Sequence, residues 1–210
     1  MKTDHYEALC RQWAQKTTTM DPVALARIPG VSLERGVLLL HHFGTLYRVD
    51  LSTGQIRSAK DGSVPNVTRR LNIYTLFGYA KPQARLTGQW VSFRQLQGTA
   101  PFDAAFHRGI LTPLARTFAG RQELLRCAMD AIGAQPLPHS DCGGQLEAFA
   151  CIPLRVLFWD RDADFDASAN LLFDASATDF IHPESIVSIG AAALHSLTEL
   201  AGLEPDPASM

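Results

Sequence analysis

The apolar runs of this chain, such as Gly-Val-Leu-Leu-Leu at residues 36–40, fall far short of the roughly 20 residues that a membrane helix needs. No membrane span is expected. Residues 1–7 lack the basic and then apolar sections of a secretory signal, which points to the cytoplasm. Cysteine is scarce: Cys10, Cys127, Cys142 and Cys151 contain no Cys-x-x-Cys pair, so neither a disulfide framework nor an iron-sulfur cluster held by this chain alone is expected. Charge of one sign is also missing. With 19 basic and 21 acidic side chains the formal charge is -2, leaving no positive surplus to neutralise the phosphates of a nucleic acid. There is no glycine-rich phosphate loop, dinucleotide fingerprint, Gly-x-Ser-x-Gly elbow or His-Glu-x-x-His helix, which removes the common enzyme signatures. Internal repeats and low-complexity linkers are absent as well.

What is present suits an ordinary globular protein: 46% hydrophobic and 19% charged residues over 210 positions can bury a substantial core. The pattern predicts one α+β domain over residues 1–204, with a mixed or antiparallel sheet and helices packed on it, and a frayed tail at 205–210. Helices are predicted over residues 5–16, 21–28, from about 67 to Pro82, 102–118, 122–132 and 183–203. A β-hairpin is predicted within residues 36–57. Later strands are predicted at 145–150, 152–159 and 170–173, with Pro153 demanding a sheet edge or a bulge.

Two segments carry the candidate chemistry. Residues 159–174 gather Asp160, Asp162, Asp164, Asp166 and Asp174 around Trp159, Phe165, Leu171, Leu172 and Phe173, apolar groups expected to be buried. Crowded carboxylates repel unless something positive compensates them. Oxygen ligands at this spacing bind hard cations, so Asp162 and Asp164 are candidate metal ligands, for a divalent cation. The match to a helix-loop-helix calcium loop is poor, because Phe165 and Leu171 stand where a glycine and a glutamate belong. The competing reading is a polar turn whose Asp side chains accept backbone N–H groups, with Arg161 balancing the charge; it is favoured for Asp160 and Asp166. The second segment, residues 88–98, sets Arg94 beside Trp90 and Phe93. An arginine among aromatics pairs with a carboxylate or an anionic ligand, so Arg94 is expected to face the acidic loop, with Trp90 and Trp159 as pocket walls.

Other clusters are weaker. His139, Asp141 and Cys142 share a loop, but nucleophile and base need proximity that spacing does not show. The pair His41-His42 points its imidazoles to opposite strand faces, one buried and satisfied, the other solvated.

The order Leu86-Thr87-Gly88-Gln89-Trp90-Val91-Ser92-Phe93-Arg94-Gln95-Leu96, then Phe106, Trp159-Asp160, Asp164-Phe165 and Leu172-Phe173-Asp174 resembles the bacterial and archaeal domain-of-unknown-function family numbered three-seven-eight-six, over most of the chain. The family is attached to no established reaction. Some members join this domain to a cysteine-rich iron-sulfur segment of the kind seen in corrinoid proteins of anaerobic one-carbon metabolism. This chain lacks that segment, so any such group would have to come from a partner. The expectation is therefore a cytoplasmic accessory protein that binds a small molecule, a metal or a cofactor through Trp90, Arg94, Trp159, Asp162 and Asp164. Two alternatives stand beside it: a metal-dependent hydrolase or transferase using residues 160–174, and a homodimerising structural protein without a small-molecule site.

Overall fold

A computed structural model describes residues 2–206. Helix α1 (Lys2–Thr17) buries Cys10 and Thr17 and packs along α3 (Val67–Tyr79). The approach is close: a Cβ at Gly78 would overlap the Trp13 indole, so only a residue without a side chain fits there. The second helix, α2 (Pro22–Leu25), is shorter than expected. Asp21 caps it by accepting the Val23 N–H at 2.9 Å, Pro22 opens it, and the chain then turns away.

The expected hairpin is a four-stranded antiparallel meander of β1 (Val31–Glu34), β2 (Val37–His42), β3 (Thr45–Asp50) and β4 (Ile56–Ser58). Two tight turns set its register. At Arg35-Gly36 (φ 48° and 82°) and Phe43-Gly44 (φ 47° and 72°) both central residues are left-handed, the geometry that matches strand twist. Strand β1 escapes a pattern search because only Val31 of its four residues is buried. In β2, Leu38, Leu40 and His42 point inward while His41 is exposed, as strand alternation requires.

A second, five-stranded antiparallel sheet runs in the order β5 (Trp90–Ser92), β9 (Ser168–Asp174), β8 (Ile152–Trp159), β7 (Cys142–Phe149), β6 (Gln135–Pro136). Pro153 therefore sits in an interior strand, and the bulge lies in the strand opposite: the β7–β8 register shifts between Glu147 and Phe149. That bulge turns the Ala148 carbonyl toward the small sheet, where it accepts the Phe43 N–H at 3.2 Å and the His42 Nδ1–H at 2.8 Å. His42 stacks on Phe149 with centroids 4.4 Å apart, and its Nε2 lies 3.3 Å from Asn72 Nδ2 on α3. One fully buried imidazole thus ties two sheets and a helix together. Burial pushes its pKa down to about 4.

Helices cover the inner face of the large sheet. A continuous helical stretch of α4 (Asp103–Phe106), a π turn (His107–Leu111) and α5 (Thr112–Phe118) is followed by α6 (Gln122–Ala131), the short α7 (Ala177–Phe180) and the long α8 (Pro183–Leu200). Phe93, in the 3-10 turn after β5, stacks on Phe106 at 4.0 Å, and Phe106 meets Phe173 edge-on at 6.2 Å. Each fully buried phenylalanine of this stack is worth about 2 to 3 kcal/mol of removed apolar surface. Of the expected frayed tail, residues 207–210 lie outside the described residues, while the Asp206 N–H donates to Thr117 Oγ1 at 2.8 Å. No helix among the described residues is long and apolar enough to cross a membrane.

Candidate functional site

The acidic loop between β8 and β9 is organised by backbone N–H groups. Asp160 accepts the amides of Gly120 (2.7 Å) and Arg161 (2.8 Å), and its own N–H donates to Asp141 at 2.8 Å. Asp162 Oδ1 accepts the amides of Asp164 and Phe165, both at 2.8 Å, and these bonds hold its carboxyl below the usual value. This is the polar-turn geometry, for Asp162 as well as Asp160. Among the described residues no group of three or more His, Cys, Asp or Glu side chains is placed to hold a metal ion. Phe165, expected to be buried, is 74% exposed at the tip of the loop, because the Asp162 turn projects it outward.

Trp90 and Trp159 do share one face of the large sheet, since Trp90 pairs with Asp174 and Trp159 with Ser168 on the same strand. Six residues of β9 separate those partners, roughly 20 Å at about 3.3 Å per residue. The two indoles therefore do not wall one cavity. Trp90 has a cation over its ring, but it is Arg155, at 3.9 Å, whose Nε also donates to Gln145 Oε1. Arg94 is exposed, next to the inward-facing Phe93, and its guanidinium makes no ion pair or hydrogen bond among the described residues. The cleft that the acidic loop does border, about 470 Å³, has the π turn and α5 as its other wall.

Asp174 stands apart from the loop, buried at the end of β9. It accepts from Thr87 N, Thr87 Oγ1, Gly88 N, Ser176 N and Ser176 Oγ at 2.6 to 3.0 Å. Burial pushes its carboxyl up, yet these donors outweigh burial and hold it at about 2. The loop with His139 gives no nucleophile and base: His139 is exposed, while Cys142 is buried in β7 and burial raises its thiol.

A cavity of about 620 Å³ lies between α1, α3 and the β3–β4 turn. Three elements supply one arginine each: Arg11 from α1, Arg57 from β4 and Arg70 from α3. The turn is fixed by Asp50, whose Oδ1 accepts Ser52 N, Ser52 Oγ and Thr53 N. Gly54 follows at φ 68°, pressed so tightly on the Ala14 carbonyl that any Cβ would overlap it, and its own carbonyl accepts the Tyr74 hydroxyl at 2.8 Å. Those contacts lock α1, α3 and the turn around the cavity. Burial pushes the Tyr74 phenol up to about 12, so it stays a neutral donor.

No carboxylate lines this cavity among the described residues. Arg70 pairs with Glu7 through Nη2 at 2.5 Å, while its Nε is buried without a partner. Arg57 donates only to neutral oxygens, the Gly62 carbonyl (3.1 Å) and Gln55 Oε1 (3.4 Å). The side chain of Arg11 has no ion pair or hydrogen bond among the described residues; its charge helps the Arg70 hydrogen bond hold the Glu7 carboxyl low. Among the described residues Glu7 is the one carboxylate ion-paired to any of the three guanidiniums. Sequence reading missed this cluster, because Arg11, Arg57 and Arg70 belong to no short motif and meet only through tertiary packing.

Fold and site together define an α+β protein with an arginine-lined cleft at the edge of its smaller sheet. The chain belongs to the family described as Domain of unknown function (DUF3786), whose model matches residues 21–195. Helix α1, which carries Arg11 and one wall of the cleft, precedes the matched span. No curated protein and no solved structure gives a match.

Proposed function

We propose that the protein is a cytoplasmic accessory protein that binds a small anionic molecule between α1, α3 and the β3–β4 turn. The observation that carries this reading is the convergence of Arg11, Arg57 and Arg70 on one cavity without a lining carboxylate. Like charges brought together cost free energy unless an anion compensates them, and a guanidinium cannot shed its proton to escape that cost. The cavity volume also falls within the range that encloses a small organic ligand. Free thiols at all four cysteines fit a reducing compartment. The metal-dependent alternative has no ligand cluster to support it among the described residues.

The test is calorimetric titration of the full chain with inorganic phosphate, citrate and succinate, beside the double variant Arg11→Ala, Arg57→Ala. Both residues are exposed, so the variant is expected to fold. At least one anion should bind the wild type, and the double variant should lose about tenfold or more in affinity, the scale of two charge-assisted contacts. Binding by none of the three, or equal binding by the variant, contradicts the reading.

A further inference from the structure

Resting on the anion-binding reading of the same cleft, we infer that its ligand is a phosphomonoester: a phosphoryl group held by Arg11, Arg57 and Arg70, carrying an apolar organic body against Ile56, Val64 and the Tyr74 ring.

Donor accounting narrows the ligand first. Of the four hydroxyls on the cavity wall, three already donate within the protein: Thr18 to the Gln15 carbonyl, Ser52 to Asp50 and Tyr74 to the Gly54 carbonyl. The donors that remain are the guanidinium N–H groups of Arg11, Arg57 and Arg70 not engaged within the protein, with the side-chain amides of Gln15 and Gln55 beside them. With three of these donor groups cationic, the set favours an ionised oxyanion.

Geometry separates the oxyanions. A carboxylate is planar with two oxygens, and a single arginine fork satisfies both. Here guanidinium groups arrive from three different elements, α1, β4 and α3. They need an acceptor with at least three oxygens pointing in different directions, which a tetrahedral phosphoryl group has. The charge agrees. Among the described residues the lining carries three guanidiniums and no carboxylate, with Glu7 on Arg70 and Asp50 under the turn lying outside it, and a phosphomonoester carries about -1.5 to -2 at pH 7.

Size then calls for more than the phosphoryl group. The cavity of about 620 Å³ far exceeds one tetrahedral ion, and Val64 supplies exposed apolar surface beside the arginines, above the nearly buried Ile56 and Tyr74. Val64 is 56% exposed, and the body of an organic phosphate would cover it.

Phenyl phosphate and phthalate are the discriminating probes, since both are aromatic dianions and only the first is tetrahedral at its charged group. Titration of the full chain is expected to give a dissociation constant about tenfold or more lower for phenyl phosphate than for phthalate, and lower than for inorganic phosphate. In Arg57→Lys, which keeps the charge and loses the fork, phenyl phosphate affinity should fall about fivefold or more while phthalate changes less. Phthalate binding as tightly as phenyl phosphate overturns the phosphoryl assignment and leaves the anion site standing. If inorganic phosphate binds as tightly as phenyl phosphate, the organic body is wrong. If no anion binds, both the assignment and the site fall.

Discussion

The Asp174 carboxylate accepts the Gly88 N–H at 2.7 Å across 86 residues of chain. Through it the two most distinctive segments of the sequence, residues 86–96 and 172–174, are joined. With Thr87 and Ser176 adding four more hydrogen bonds, the carboxylate clamps the entry of the edge strand β5 to the end of β9. Among the five acids of residues 159–174, this one alone is buried.

Replacing it tests that role. Asp174→Asn turns an acceptor toward five donors into a group with two donors of its own, and should cost about 3 kcal/mol by urea unfolding at pH 7. The folded carboxyl sits near 2 against an ordinary value of 3.8. Its stabilisation is therefore complete above pH 4 and lost as pH falls through 2, about 2 kcal/mol in all. The variant should lack that acid-dependent part of the wild-type curve.

His42 gives a second pH signature in a separate window. Its imidazole is neutral in the fold with a pKa of about 4, against 6.5 when solvated. The unfolded chain takes up a proton below pH 6.5 that the folded chain refuses. Stability is full above that value and declines by about 3 kcal/mol as pH falls to 4. In His42→Phe this slope should vanish, although Asn72, whose Oδ1 already lacks a partner, then loses its one contact on Nδ2 and lowers the baseline.

Gly54 links stability to the cleft. Gly54→Ala adds a side chain at positive φ where the Ala14 carbonyl leaves no room, and should cost about 2 to 4 kcal/mol in thermal or urea unfolding. Because the same contact seats α1, anion affinity should fall with it.

The acidic loop should be indifferent to ligand. The double variant Asp162→Asn, Asp164→Asn removes two exposed charges from a turn that Asp162 organises through backbone amides. Elemental analysis of the purified variant should match the wild type, and its affinity for inorganic phosphate should be unchanged. Loss of a stoichiometric metal would restore the loop as a metal site.

The helices were legible because their apolar spacing is a local property: the predicted ranges 5–16, 102–118 and 122–132 lie within a few residues of the observed elements. The tie between Pro153 and a bulge was legible too, since a missing N–H must be answered somewhere along the ladder. Strand β1 was not, with one buried residue in four. The acidic loop drew attention by density, but density does not say where oxygens point; in a tight turn the nearest donors are backbone amides, and Asp160 and Asp162 took them. Arg94 was read by its sequence neighbours, Trp90 and Phe93. One residue of register in a 3-10 turn decides whether a side chain joins the core or solvent, and Phe93 took the core. The arginine cleft was illegible for the opposite reason, because its members are distant in sequence and acquire meaning only when Gly54 and Gly78 let α1 and its neighbours close together.

The most direct measurement is an NMR titration of the full chain with inorganic phosphate, following the arginine Nε–Hε resonances. The account predicts that Arg11, Arg57 and Arg70 shift together and saturate with one dissociation constant, while Arg94 and Arg161 stay in place. Largest shifts at Arg94 or Arg161, or no saturable shift at the three cleft arginines, would contradict it.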